Sequence, residues 1–169
     1  NMDTTGTFEV YDVLHKHKMI TCLNKFYGLK DFQKRNQISH LEKLDPDYFM
    51  ISTGIDERNF CNLCEIMEYT QAKWICVDVA NGYMQQVVLY CDKVRATFPD
   101  AIIVAGNVAT REMVEELIIN GKVDGVKVGI GPGSACLTRL KTGVGVPQLS
   151  AIIECADAAH GCGGFIIGD

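Results

Sequence analysis

Six short runs of the chain are apolar without alternation, and longer stretches of helical character lie between them. The runs cover residues 19–23, 48–52, 74–79 (WICVDV), 101–105 (AIIVA), 125–130 and 165–167. A strand with one face in water reads apolar–polar–apolar, whereas an unbroken apolar run belongs in a parallel sheet covered on both faces. Helical stretches are expected at residues 29–41, 56–69, 84–98, 110–120 and 147–160. Pro99 stops the third, and Gly121 and Gly161 follow the last two. Thr110, with Glu112 and Glu115, is expected to cap the fourth, and Pro147 stands at the first turn of the fifth. Strand alternating with helix defines an α/β chain. Residues 1–3 read as the end of a further strand. No Ser-, Gly- or Pro-rich linker interrupts the chain, so residues 1–169 read as a single domain.

Strand count alone does not separate a doubly wound sheet from a barrel. The polar residues do. Lys25, Ser52-Thr53-Gly54, Asp78 with Asn81, Asn107, the glycine-rich stretch 129–136 and Asp169 all follow the carboxyl ends of strands. A (β/α)8 barrel builds its site from several strand ends at one face, whereas an open sheet concentrates it at a switch point. The expected architecture is therefore a TIM-type (β/α)8 barrel. A closed barrel takes about 250 residues, more than the 169 present, so the barrel is expected to be truncated.

Composition removes several function classes. A net charge of −5 does not favour a nucleic-acid surface, which needs a basic excess against phosphate. No apolar run approaches the roughly 20 residues of a bilayer span, and no signal pattern opens the chain. Of the eight cysteines, Cys76, Cys91 and Cys155 fall in apolar or helical patterns, where a thiol acts as a small hydrophobe. The expectation is a reduced, cytoplasmic protein. Cys61 and Cys64 form a C-x-x-C pair inside a helical pattern, without the second pair that zinc would require. His15, His17 and His40 lie in polar stretches and are expected to be solvated, and His160 ends a helix, where a cation complements the dipole.

The most informative stretch is residues 127–147, KVGIGPGSACLTRLKTGVGVP, with five glycines. Its spacing is neither the dinucleotide G-x-G-x-x-G nor a P-loop, which would need Gly-Lys-Ser/Thr. Such a loop allows close backbone approach to an anion or ion. Within it Cys136 is followed by Thr138 and Arg139. The thiolate is the nucleophilic form, and a nearby cation favours it, so Cys136 reads as a nucleophile rather than as a small turn residue. Asp78 could take ribose hydroxyls, or Asp78 or Asn81 could cap the next helix. Lys25 could neutralise a phosphate.

These strings resemble the IMP dehydrogenase/GMP reductase family, and within it the reductases. The resemblance rests on NMDT-x-GTFE at residue 1, NK-x-Y at residue 24, ISTG at 51, DVANGY at 78, AGNV at 105, the loop GIGPGSACLTR-x-KTGVG-x-PQLSA and ECADAAHG at 154. Arg139 stands where the dehydrogenases usually have Gln. The resemblance implies an NADPH-dependent reductive deamination of GMP to IMP and ammonia. In that reaction Cys136 attacks the purine C2 and forms a covalent thioimidate, and Thr138 assists proton transfer to ammonia. It places Lys25, Asp78, Val79, Ala80, Ile130 and Gly131 at the cofactor, and Met2, Asn107, Ser134 and Asp169 at the nucleotide. It implies a K⁺ site from carbonyls around Gly131, Gly133, Cys136 and Arg139, and a homotetramer in the cytoplasm.

The chain departs from the family pattern at Leu137, at Asn24 and Phe26 flanking the lysine, at Gly168, and in one extra residue at 123–125. By the same resemblance it runs from the end of the first barrel strand into the seventh. It then omits the glycines that finish the phosphate site and the glutamate that acts with Thr138. A homologous dehydrogenase and an inactive nucleotide-binding fragment are the alternative readings.

Overall fold

The computed structural model describes residues 1–39 and 41–169, so His40 lies outside the described residues. The chain divides into two compact units, Asn1–Asp78 and Val79–Asp169.

In the first unit β1 (Thr21–Leu23), β2 (Phe49–Thr53) and β3 (Trp74–Asp78) pair in parallel and in sequence order. Phe49 stands beside Thr21, and Ile75 beside Ile51. Every residue of β2 is buried, as the unbroken apolar run requires. Three helices accompany the strands: α1 (Phe8–Leu14), α2 (Leu29–Asn36) and α3 (Glu57–Thr70). α1 lies on β1, α3 on β2, and α2 on α3. Each has a local reason to start. Thr7 accepts from Val10 N at the head of α1, and Asp56 accepts from Asn59 N at the head of α3. In α2, Asp31 reaches back to Gly28 N at 2.8 Å.

The second unit repeats the plan. β4 (Ile102–Val108), β5 (Gly125–Val128) and β6 (Phe165–Gly168) are parallel neighbours in order. Ala105 stands beside Val126, and Val126 beside Ile166. α4 (Gln85–Thr97) packs on β4, α5 (Arg111–Ile119) on β4 and β5, and α7 (Gln148–Gly161) on β5, β6 and α5. The short α6 (Thr138–Thr142) lies in the loop after β5. Within each unit three parallel strands alternate with helices, the α/β alternation expected of a β/α barrel.

Several local expectations change. α2 stops at Asn36, five residues short of the expected end. β4 runs three residues further than its apolar run, through Val108, so Asn107 sits on a strand. β5 ends earlier, at Val128, because Gly129 turns away with φ +149°. Residues 1–3 form a turn approach rather than a strand. α1 and α6 were not anticipated. Thr110 precedes α5 but makes no side-chain cap. Its Oγ1 instead accepts from Tyr83 Oη at 3.1 Å. Asn81 accepts from Tyr83 N in a local turn, and Met84, not Asn81 or Asp78, precedes α4. His15 is not solvated. Its ring stacks on Tyr11 with centroids 4.7 Å apart, and Nδ1 lies 2.8 Å from Tyr11 O. His17 and His160 are exposed.

The opposite ends of the second unit's strands are tied by one arginine. Arg95, from α4, donates to Lys122 O (3.0 Å), Pro99 O (2.9 Å) and Ala101 O (2.7 Å), and pairs with Asp124 Oδ2 at 2.6 Å. Asp124 also accepts from Ile103 N at 2.7 Å. Asp124 belongs to the three residues in which the sequence carries one extra, and it is spent here on holding the β4 and β5 entries together. Asp124→Ala is expected to lower stability by about 1–3 kcal/mol, measured by urea denaturation. Asp124→Asn should lose less, because it keeps an acceptor for Ile103 N. An Asn variant as unstable as the Ala variant would overturn this account.

Candidate active site

β5 delivers the chain into residues 129–147, and the loop is closed at its base by two hydrogen bonds. Val146 N donates to Ile130 O at 3.2 Å. Gln148 Nε2, from the first turn of α7, donates to Val128 O at 2.8 Å. Between these ties Gly133 O accepts from Cys136 N at 3.1 Å, which turns the chain so that Cys136 comes to the start of α6. Gly131 has φ +73°, and a Cβ there would stand 2.7 Å from Arg139 Cγ. Glycine is therefore required both for the turn and for the passage of the arginine stem.

Cys136 Sγ lies 3.3 Å from Thr138 Oγ1. The Thr138 hydroxyl and backbone N–H, followed by the Arg139 charge, lower the Cys136 thiol from its usual range against the opposing effect of burial. The other resolved shifts among the thiols go the opposite way. Burial pushes Cys91 up to about 12 and Cys155 up to about 11. All eight cysteines are free thiols. Cys61 and Cys64 lie on α3, and among the described residues no group of three or more His, Cys, Asp or Glu is placed to hold a metal ion.

The remaining candidates fall into the two units. In the first, Lys25 Nζ lies 3.3 Å from Asp78 Oδ2 and donates to Asp78 O at 3.2 Å, so the lysine after β1 meets the carboxylate at the end of β3. Asn24 beside it is buried and donates to Gly6 O at 2.8 Å. Met2 is exposed, and its carbonyl accepts from Thr5 N and Gly6 N. In the second unit Val79 exchanges backbone hydrogen bonds with Gly106 and Asn107, at 2.9 and 2.8 Å. Ala80 and Ser134 are exposed, Ile130 is half-buried and Gly131 is buried. Asn107 Nδ2 donates to Asp169 Oδ2 at 2.5 Å and to Gly129 O at 2.9 Å. That brings the ends of β4 and β6 to the root of the cysteine loop.

Sequence reasoning missed Lys127 and Gln148. Lys127 is a lysine within the apolar strand β5, 6% exposed, with Nζ 3.4 Å from Asp169 Oδ2. The signal was present, since a lysine inside a both-faces-buried strand must find a partner. Gln148 follows Pro147 and gave no such signal.

In each unit parallel strands alternate with helices, and candidate polar residues follow the carboxyl ends of strands, where β/α proteins place their sites. A family model described as IMP dehydrogenase / GMP reductase domain matches residues 33–169, and the chain belongs to that family. Among its relatives is the GMP reductase of Aliivibrio fischeri strain MJ11, 54% identical over 173 residues, covering 100% of this chain and 48% of the relative. That of Vibrio vulnificus strain YJ016 is 52% identical over 170 residues, with 100% and 48% covered. That of Buchnera aphidicola subsp. Schizaphis graminum is 51% identical, with the same coverage. The chain spans about half the length of the curated relatives it matches. No helix among the described residues is long and apolar enough to cross a membrane.

A thiol lowered chiefly by a hydroxyl neighbour should lose that shift with the neighbour. In Thr138→Val the pH midpoint of Cys136 alkylation by iodoacetamide, followed by peptide mass spectrometry, is expected to move upward, towards the range of an ordinary thiol. Cys91 and Cys155 should stay unlabelled in the folded protein. An unchanged midpoint would refute the assignment of the shift to Thr138.

Proposed function

We propose that the protein carrying this chain is a GMP reductase, an NADPH-dependent oxidoreductase that converts GMP to IMP and ammonia. The observation that carries the proposal is the Cys136–Thr138 pair, 3.3 Å apart on a glycine loop at a strand end, in a chain 51–54% identical to proteins named GMP reductase.

Cys136 as thiolate adds to C2 of the purine. The C2–N bond to the amino group then breaks, and Thr138 passes a proton to the departing ammonia. The sulfur remains bonded to C2 as a thioimidate. A reduced nicotinamide, when bound, supplies the hydride that C2 accepts. The C2–S bond then breaks, the thiolate is regenerated and IMP leaves. Covalent attachment divides one difficult aromatic substitution into two easier steps.

The remaining candidates would bind the reactants. Lys25 and Asp78 offer a cation and a ribose-type acceptor side by side, with Val79, Ala80, Ile130 and Gly131 as backbone contacts for the cofactor. Met2, Asn107, Ser134 and Asp169 would hold the nucleotide. The carbonyls of Gly131, Gly133, Cys136 and Arg139 would supply the oxygen-only donors of a K⁺ site. Gly133 O and Arg139 O each already accept one backbone N–H, at 3.1 Å, and each keeps a second lone pair. Residues 1–169 would form one partial barrel domain of a cytoplasmic homotetramer.

NADPH oxidation followed by absorbance, with and without GMP, tests the proposal in the protein that carries this chain. Cys136→Ala is expected to reduce turnover by several orders of magnitude while GMP binding, measured by calorimetry, changes little. Turnover retained by that variant would eliminate the covalent route.

A further inference from the structure

We infer that Lys127 is a positioning residue for the nucleotide, holding the Asp169 carboxylate in place for the ribose hydroxyls; this rests on the proposed binding of GMP.

A lysine 6% exposed within a parallel strand is costly unless its charge is met. Replacing a buried ion pair by apolar side chains is often neutral or stabilising, so stability alone gives β5 little reason to carry a charge. The ammonium is aimed at Asp169. Lys127 pairs with Ile167 and Val128 with Gly168 in the β5–β6 register, which puts Asp169 just past the end of β6. Asp169 N donates to Val128 O at 2.9 Å, fixing its backbone. Lys127 Nζ is then 3.4 Å from Asp169 Oδ2, and Asn107 Nδ2 is 2.5 Å from the same oxygen. Two donors converge on Oδ2, which leaves Oδ1 to accept from vicinal hydroxyls on the exposed side of Asp169.

The lysine stem is itself held. A Cβ on Gly106 would stand 2.6 Å from Lys127 Cβ, so the β4 backbone packs directly on the stem. A surface ion pair gives back most of its Coulomb energy by immobilising two long side chains. Here packing has already immobilised one of them. The pair is therefore suited to fixing a carboxylate rotamer, whereas surface lysines hold one only loosely.

The test uses the protein that carries this chain and calorimetric affinities for GMP and for its 2′,3′-dideoxy analogue, which lacks the ribose hydroxyls. The wild type should prefer GMP. Lys127→Met should weaken GMP binding about tenfold, the factor that 1.4 kcal/mol makes, and remove most of that preference. Affinity for the reduced nicotinamide should stay unchanged, and Lys127→Arg should restore part of the preference. A merely structural role would weaken both nucleotides alike. Should Lys127→Met fail to fold by circular dichroism, Lys127→Gln, which removes the charge but keeps a polar end, should show the same loss of preference. An unchanged preference in either variant overturns the inference while leaving the enzymatic reading intact. A wild type that binds neither nucleotide overturns that reading and the inference with it.

Discussion

The closure of the loop after β5 is the constraint on which the site depends. Nineteen residues separate the end of β5 from α7, a length that would ordinarily sample many conformations. Val146 N on Ile130 O and Gln148 Nε2 on Val128 O tie its two ends to the same strand terminus. With the base fixed, the remaining residues form a compact excursion. Arg139 lies along Gly131 and Gly145 inside it, in space that a side chain on either glycine would fill. Cys136 is thereby presented by a loop whose base is closed.

The sheet supplies a second constraint. Parallel strands end together, so groups that lie far apart in sequence arrive at neighbouring strand ends. Asn107 after the apolar part of β4, Gly129 after β5 and Asp169 after β6 are joined by hydrogen bonds through one amide. In the same way Asn107 N donates to Val79 O and Val79 N to Gly106 O. Each contact follows from strand register and not from local sequence. Small register changes would therefore be felt at the site before they were felt in the core.

How far this was legible in the sequence follows the same division. The α/β alternation, the six strands and the cysteine loop could be read because burial on both faces leaves unbroken apolar runs, and because glycines cluster where the backbone must turn. What could not be read was where polar side chains would spend their hydrogen bonds. Thr110 has every property of a helix cap, yet its hydroxyl is taken by Tyr83 from 27 residues away. His15 stands in a polar stretch, yet its ring lies on Tyr11. β4 runs past its apolar pattern because Asn107 is held by partners on other elements. These outcomes are tertiary, and a local pattern carries no trace of them. Lys127 is the instructive intermediate case, since an ion in a buried strand announces that a partner exists without naming it.

The thiols differ with where the chain places them. Wherever packing excludes water the thiolate is penalised, as at Cys91 on α4 and Cys155 on α7, whose thiols are pushed up to about 12 and about 11. A well-packed α/β core therefore makes cysteine inert. Lowering a thiol takes donors that are not already spent on secondary structure, and inside a strand or mid-helix every N–H is spent. The N–H groups of a helix's first turn are the exception, because they have no intrahelical partner. Cys136 stands just before such a turn, and its influences are the Thr138 hydroxyl, the Thr138 N–H and the Arg139 charge. Here the start of a short helix brings this hydroxyl and this N–H to the same thiol. The glycines of this loop make that geometry possible, which is why Cys136 and the glycines belong to the same stretch of sequence.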